Sequence, residues 1–301
     1  MVTSSKKKWQ EYLSKSFINV ALTIIALACV IPFIIVISIS LSTETMIRPP
    51  YGFGLFPRGF TLTAYRHVFM VPGDIVNAYI VTIFTTVAGT VISVLMMSMA
   101  AYCLARKNFR LRRPFMFYIF FTMLFSGGLV PTYILITQYL NLTDNIWSLI
   151  LPTLVNAFHI VLLRTFFQKT PPALFESAKI DGANEFVTFV RIAFPLATPA
   201  IATVALLGSL GRWNEWFLAM LYIRSDHLVP LQYLLYRIMM DLQFVAQNFN
   251  RMPQFARDTA AIPTETIRMA MAVVAAGPMI FVFPFFQKYF VRGLTVGSVK
   301  E

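Results

Sequence analysis

Six stretches of this chain are long and apolar enough to cross a bilayer, which leaves little choice of architecture. They run roughly over Phe17–Leu41, Asn77–Leu104, Pro114–Tyr139, Ile146–Phe167, Pro195–Ile223 and Ile267–Tyr289. A hydrocarbon core about 30 Å thick takes about 20 helical residues to span. Inside it every backbone N–H and C=O needs a partner, and a helix supplies these within one segment. The chain therefore reads as an all-α integral membrane protein with six transmembrane helices. Composition agrees, with 57% hydrophobic and 13% charged residues and a mean hydropathy of +0.68, far from the values of soluble domains. The third window contains Ser126-Gly127-Gly128 and Pro131, which we read as a kink within a single span. Lys6–Lys8 precede an apolar run of about 25 residues, longer than the core of a signal peptide, so an uncleaved first helix is expected.

The basic residues set the orientation. Lys6, Lys7, Lys8 and Lys15 precede the first span, the short run RKNFRLRR from Arg106 follows the second, and Arg164, Lys169, Lys179 and Arg191 surround the polar stretch after the fourth. The alternate loops carry fewer. By the positive-inside rule both termini and that polar stretch face the cytoplasm. The expected organisation is a cytoplasmic N-terminus over 1–16, a helical domain over 17–293 and a cytoplasmic tail over 294–301. The domain includes an inner loop over 170–195 and an outer loop over 224–266. A net charge of +12 could suggest nucleic acid, but the charges sit beside spans as topology signals, so lipid is the expected surrounding and nucleic acid is excluded.

The inner loop, PPALFESAKIDGANEFVTFVRIAFP from Pro171 to Pro195, has structure written into it. Pro171-Pro172 suit a helix start, and Ala173 to Asp181 holds good helix formers. Leu174, Phe175 and Ala178 share one face of that helix. Asp181-Gly182 signals a turn, and Asn184 is placed to cap a second short helix through Phe186, Phe189 and Val190. A helix, a sharp bend and a helix bearing apolar knobs form a docking element suited to a partner's groove; an ordinary interhelical loop is the plainer alternative.

Polar residues within spans are costly and face protein or a water-filled path. Arg212, Asn214, Glu215 and Trp216 cluster in the fifth span, with Arg212 and Glu215 one helical turn apart. They are candidates for the path or gate of a transporter, or for a mutual ion pair that locks helices. Asn156 and His159 in the fourth span are further path candidates, with ordinary packing as the alternative for His159. The outer loop carries Tyr233, Tyr236, Arg237, Gln243 and Asn248 with helical spacing over Leu231–Phe249, so it either meets an extracytoplasmic partner or forms a solvated lid. Three histidines, no H-E-x-x-H, no G-x-S-x-G and no paired inward carboxylates leave catalytic chemistry without a site, and no metal is expected. No G-x-x-x-x-G-K-[ST] loop is present, so nucleotide hydrolysis belongs to another subunit if it drives this one.

Glu176-Ser177-Ala178, Gly182, Ile192 and Pro195 follow the order E-A-A-x3-G-x9-I-x-L-P. That order resembles the EAA loop of permease subunits in bacterial ABC importers; Ser177 stands for an Ala and Phe194 for the Leu. The runs Ile146–Phe167, Gly211–Ile223, Val229–Leu235 and Gly277–Glu301 are similar to carbohydrate-uptake permeases of type I ABC importers. The similarity is greatest to the branch that includes polysaccharide and alginate-oligosaccharide importers, on the side of the smaller maltose permease. It implies a type I importer permease fold in a bacterial inner membrane, paired with a related permease. Two ATPase subunits would hold the ATP and Mg, and an extracytoplasmic solute-binding protein would deliver an oligosaccharide. It also implies that Glu176, Ser177, Ala178, Asp181 and Gly182, with Leu174 and Phe175, couple to an ATPase. Tyr233 to Asn250 would reach the binding protein, and Gly297–Glu301 the ATPase pair. A secondary transporter or channel working alone is the alternative, though no matching inverted halves are visible.

Overall fold

The computed structural model describes residues 2–47, 50–69, 72–248 and 264–295, and among them all regular structure is helical. Helix α1 spans Val2–Ser40, α2 Pro72–Ala105, α3 Arg112–Leu124 and α4 Leu129–Tyr139. Then come α5 (Trp147–Thr153), α6 (Ala157–Gln168), α7 (Pro172–Ile180), α8 (Glu185–Leu196) and α9 (Thr198–Trp213). Then follow α10 (Leu231–Asn248) and α11 (Thr264–Thr295), and short helices lie at Glu44–Ile47, Thr63–Val68 and Phe217–Tyr222. Residues 249–263 of the expected outer loop and the tail 296–301 lie outside the described residues.

Lys15–Ser40, Asp74–Ala105 and Thr264–Phe285 are single helices able to cross a membrane. Three further apolar stretches form bent helix pairs: α3 and α4 meet at 112°, α5 and α6 at 52°, α8 and α9 at 80°. The expectation of a kinked third span is corrected here, because a turn of 112° breaks it into two helices. Phe125 leaves the helix in extended geometry, Gly128 takes φ +86°, and Pro131 falls in the first turn of a new helix, where its missing N–H costs nothing. The fifth window also starts earlier than expected. The helix capped by Asn184 runs through a π turn at Phe189–Ala193 to Leu196, and Pro199 then opens α9.

The chain divides into two compact units, Met1–Val71 with Met239–Ala276 and Pro72–Ile238 with Gly277–Glu301. In the second, α2 is the unbroken helix around which the bent spans gather. Val94, Met97, Ala101, Tyr102 and Leu104 of α2 pack with Ile160, Leu163 and Phe167 of α6, Phe189 and Ala193 of α8, and Ala200, Ile201 and Val204 of α9. The alanines let backbones approach closely, which is how helices associate where lipid removes the hydrophobic driving force.

α2 also satisfies backbone groups that the bends set free. Ser93 Oγ donates to the Leu154 carbonyl at 2.5 Å, and the Asn156 N–H meets Met97 Sδ at 3.4 Å, both at the α5–α6 break. In the first unit the segment after α1 closes on itself: the Thr61 N–H donates to the Leu41 carbonyl at 2.9 Å, and Arg58 Nη1 to the Tyr51 carbonyl. In that unit the Glu44 carboxylate accepts the Glu265 and Thr266 N–H groups at 3.3 and 3.0 Å, a negative charge at the positive end of α11.

Candidate functional site

The stretch Pro172 to Leu196 is a helix, a tight bend and a helix. Pro172 occupies the first turn of α7 as its fixed φ favours. At the other end the Ala183 N–H reaches back to the Ala178 carbonyl at 2.9 Å and the Gly182 N–H to Lys179 at 3.2 Å, the paired bonds of a Schellman turn. That geometry puts Gly182 at φ +78°, where a Cβ is strained. Asn184 Oδ1 then accepts the Val187 N–H at 2.8 Å and caps α8.

The apolar residues of this element divide between two sides. Ala178 and Phe189 are buried, and Phe175 packs partly buried against the core, so these three hold the element to its own bundle. Leu174, Ile180 and Phe186 point away, 40%, 86% and 65% exposed, alongside exposed Glu176, Ser177, Asp181 and Gly182. Leu174, Phe175 and Ala178 thus do not act as one outward face. Ile180, the most exposed of the three, was not singled out in the sequence because it sits one residue before the turn.

Two residues missed by sequence reasoning tie the element to α2. Tyr102 Oη donates to Glu185 Oε2 at 2.7 Å, and Arg106 Nη2 to Glu185 Oε1 at 3.2 Å. The Arg106 guanidinium lies 4.4 Å from the Phe175 ring centre, and the Tyr102 ring sits 5.3 Å from Phe189, 5.9 Å from Phe167 and 6.2 Å from Phe175. In the sequence Arg106 is one topology charge among several in RKNFRLRR.

Arg212 and Glu215 make no ion pair with each other. Arg212 is 8% exposed; its Nη2 donates to the Thr153 carbonyl at 2.7 Å and its Nη1 to Gly208 at 3.2 Å. Its passage depends on Gly89 of α2, where a Cβ would stand 2.7 Å from Nε and 2.8 Å from Cδ. Glu215 instead accepts the Leu218 N–H at 3.0 Å and starts the short helix Phe217–Tyr222. Asn214 Nδ2 donates to the Leu210 carbonyl at 2.9 Å, and Asn156 Oδ1 accepts the His159 N–H at 3.1 Å, capping α6. His159 is half-buried, its ring 6.1 Å from that of Phe158.

Trp216 stacks on Tyr236 with ring centres 4.4 Å apart. Tyr233 and Gln243 are half-buried, Arg237 is exposed and pairs with Asp226 at 2.8 Å, and the Asn248 side chain lies outside the described residues. The loop leading to α10 is anchored three times. The Asn77 amide donates to the His227 carbonyl at 2.7 Å, and the Leu231 N–H donates to Thr82 Oγ1 at 2.8 Å. The Asp144 carboxylate accepts the Ser225 hydroxyl and the N–H groups of Ser225 and Arg224.

Those bonds, the Ser225 hydroxyl first, hold the Asp144 carboxyl down at about 2, against 3.8 ordinarily. A depressed carboxylate stabilises the fold above its ordinary value, and that contribution fades as pH falls through the folded value. The Arg224 and Ser225 amides are therefore expected to resist hydrogen exchange from neutrality to about pH 4 and to lose protection toward pH 2. Asp144→Ala should exchange fast throughout. Equal protection in that variant would remove the clasp.

A bundle of long apolar helices that holds out a helix–turn–helix with an exposed apolar edge has the arrangement of a transport permease subunit. The chain belongs to the family of inner membrane components of binding-protein-dependent transport systems, which residues 93–296 match. It is 42% identical over 281 residues to the polygalacturonan/rhamnogalacturonan transport system permease protein YtcP of Bacillus subtilis, covering 93% of this chain and 95% of that one. Protein LplC of the same organism is 40% identical over 271 residues, covering 90% and 89%. The fold superposes with a TM-score of 0.78 on a chain from the crystal structure of a bacterial ABC transporter involved in the import of the acidic polysaccharide alginate. That pair is 32% identical over 93% of this chain and 98% of the other.

Proposed function

We propose that this chain forms half of the translocation path of an ATP-driven, binding-protein-dependent importer, and that its substrates are acidic oligosaccharides. The observation that carries this reading is the Pro172–Leu196 element, folded as two capped helices about Gly182 with Leu174, Ile180 and Phe186 outward. A rigid pair of helices delivers a push, and an exposed apolar edge beside a carboxylate suits a groove on an ATPase. ATP and Mg then belong to two separate ATPase subunits, and a related permease completes the path. Both termini and the 170–195 element face the cytoplasm, where the basic residues concentrate.

Closure of the ATPases would draw the coupling elements of the two permeases together and turn the bundle outward, and reopening would discharge substrate inside. Asn156, His159, Asn214 and Trp216 keep surface exposed or half-exposed and are the path candidates, while Arg212 and Glu215 shape the path through the backbone groups they hold. The exposed Arg237, with Tyr233, Tyr236 and Gln243 on α10, is offered to the solute-binding protein. The acidic class rests on two relatives, one named for a galacturonan and one for alginate; both polymers carry a carboxylate on their sugars.

The test is the ATPase rate of the purified complex in lipid, with a cognate binding protein loaded with oligogalacturonate, alginate oligomers or a neutral oligosaccharide. Stimulation by the carboxylate-bearing sugars alone is expected. Equal stimulation by a neutral sugar would remove the acidic class, and a chain that purifies without an ATPase would remove the importer reading.

A further inference from the structure

The second span touches both arms of the coupling element. From one turn at the end of α2, Tyr102 and Arg106 reach Phe175 on α7 and Glu185 and Phe189 on α8. Glu185 is held at both oxygens by donors one helical turn apart, so neither the carboxylate nor α8 can pivot without breaking a bond. The Tyr102 hydroxyl is its shorter contact, and the Tyr102 ring is 4% exposed among Phe167, Phe175 and Phe189. A cavity of about 350 Å³ lined by Arg106, Lys107, Arg112, Glu176 and Lys179 separates α7 from the turn after α2. Across that gap Phe175 is met by the Arg106 guanidinium at 4.4 Å and the Tyr102 ring at 6.2 Å.

We propose that Tyr102 and Arg106 are positioning residues through which the coupling element moves α2 directly. The fourth and fifth spans are joined to the element by the chain itself, whereas α2 is separated from it by more than sixty residues of sequence and can follow only through side chains. α2 in turn packs on α6 and α9 and holds the α5–α6 break through Ser93, so displacement of its end reaches the bundle that the path runs through. This inference rests on the importer reading.

Tyr102→Phe keeps the ring among its aromatic neighbours and deletes only the donation to Glu185. In the full complex in lipid, the quantity to measure is ATP hydrolysed per oligosaccharide imported, alongside the amount of assembled complex. Tyr102→Phe is expected to raise that ratio about threefold or more, the scale on which one link in a coupling network acts, with assembly unchanged. Arg106→Ala should raise it as well, whereas Arg106→Lys, which keeps charge but not the planar stack, should recover only part of the loss. Glu185→Ala removes both acceptors, so adding Tyr102→Phe to it should raise the ratio no further.

An unchanged ratio in both Tyr102→Phe and Arg106→Ala would overturn the proposal while leaving the importer intact. So would uptake and ATPase falling together in step with the amount of complex, the mark of a merely structural role. An unmodified complex with no binding-protein-stimulated ATPase would overturn the importer reading and this inference with it.

Discussion

Gly182→Pro is expected to abolish uptake while the chain still inserts and assembles. At φ +78° the backbone there lies in the left-handed region, and proline is fixed near −65°. Proline would also delete the N–H that Gly182 donates to Lys179, one of the two bonds that close the turn. A Cβ on Gly182 meets nothing within 4 Å, so the damage comes from the backbone, including Asp181, whose near-helical ψ a following proline disfavours. Gly182→Ala isolates the milder part of the effect, a left-handed alanine costing about 1 kcal/mol. It should therefore retain partial uptake. Radiolabelled oligosaccharide uptake in vesicles, with ATPase measured on the same preparation, checks both variants. Full transport by the proline variant would remove the coupling role from this bend.

The second large effect is expected at a site with no exposed chemistry. Gly89→Val forces a branched side chain into Arg212 Nε and Cδ, and Arg212 cannot retreat without giving up the Thr153 and Gly208 carbonyls. Overpacking costs about 1–3 kcal/mol, and an orphaned buried carbonyl about as much again. Loss of most assembled complex is expected, read by size-exclusion yield and thermal stability in detergent. Arg212→Ala alone should lower stability by a similar amount, because it leaves the Thr153 carbonyl without its donor. Since the two changes strike one contact, Gly89→Ala with Arg212→Ala should be no less stable than Arg212→Ala alone. Strictly additive losses would show that Gly89 does not serve Arg212.

Local signals were legible along the chain. Pro172, Gly182 and Asn184 act where their backbone preferences put them, because caps and tight turns are closed by residues a few positions apart. The six apolar windows also survive, three of them as single helices. The severity of the breaks was not legible. Whether Gly128 and Pro131 kink a span or end it, and whether Asn156 can open one, depends on who satisfies the freed backbone, and Ser93 does so from across the bundle. The spacing of Arg212 and Glu215 suggested one helix face, but α9 ends at Trp213, so Glu215 has left the helical lattice on which that spacing means proximity. Arg106 carried two roles under one residue type: as a charge it marks topology, and only the fold shows that it also grips Glu185.

The unbroken α2 gives the order of synthesis a meaning. Asn77, Thr82, Gly89, Ser93, Met97, Tyr102 and Arg106 serve residues that all leave the ribosome later, from Leu154 to Leu231. The halves of the bent spans are short; α3, with 13 residues, rises only about 20 Å, too little to cross a bilayer alone. The α5–α6 break therefore emerges beside a template already in place, and its exposed peptide groups find Ser93 and Met97 on arrival. For the stretch from Leu154 to Leu231, the order of synthesis puts the template before the segments it holds.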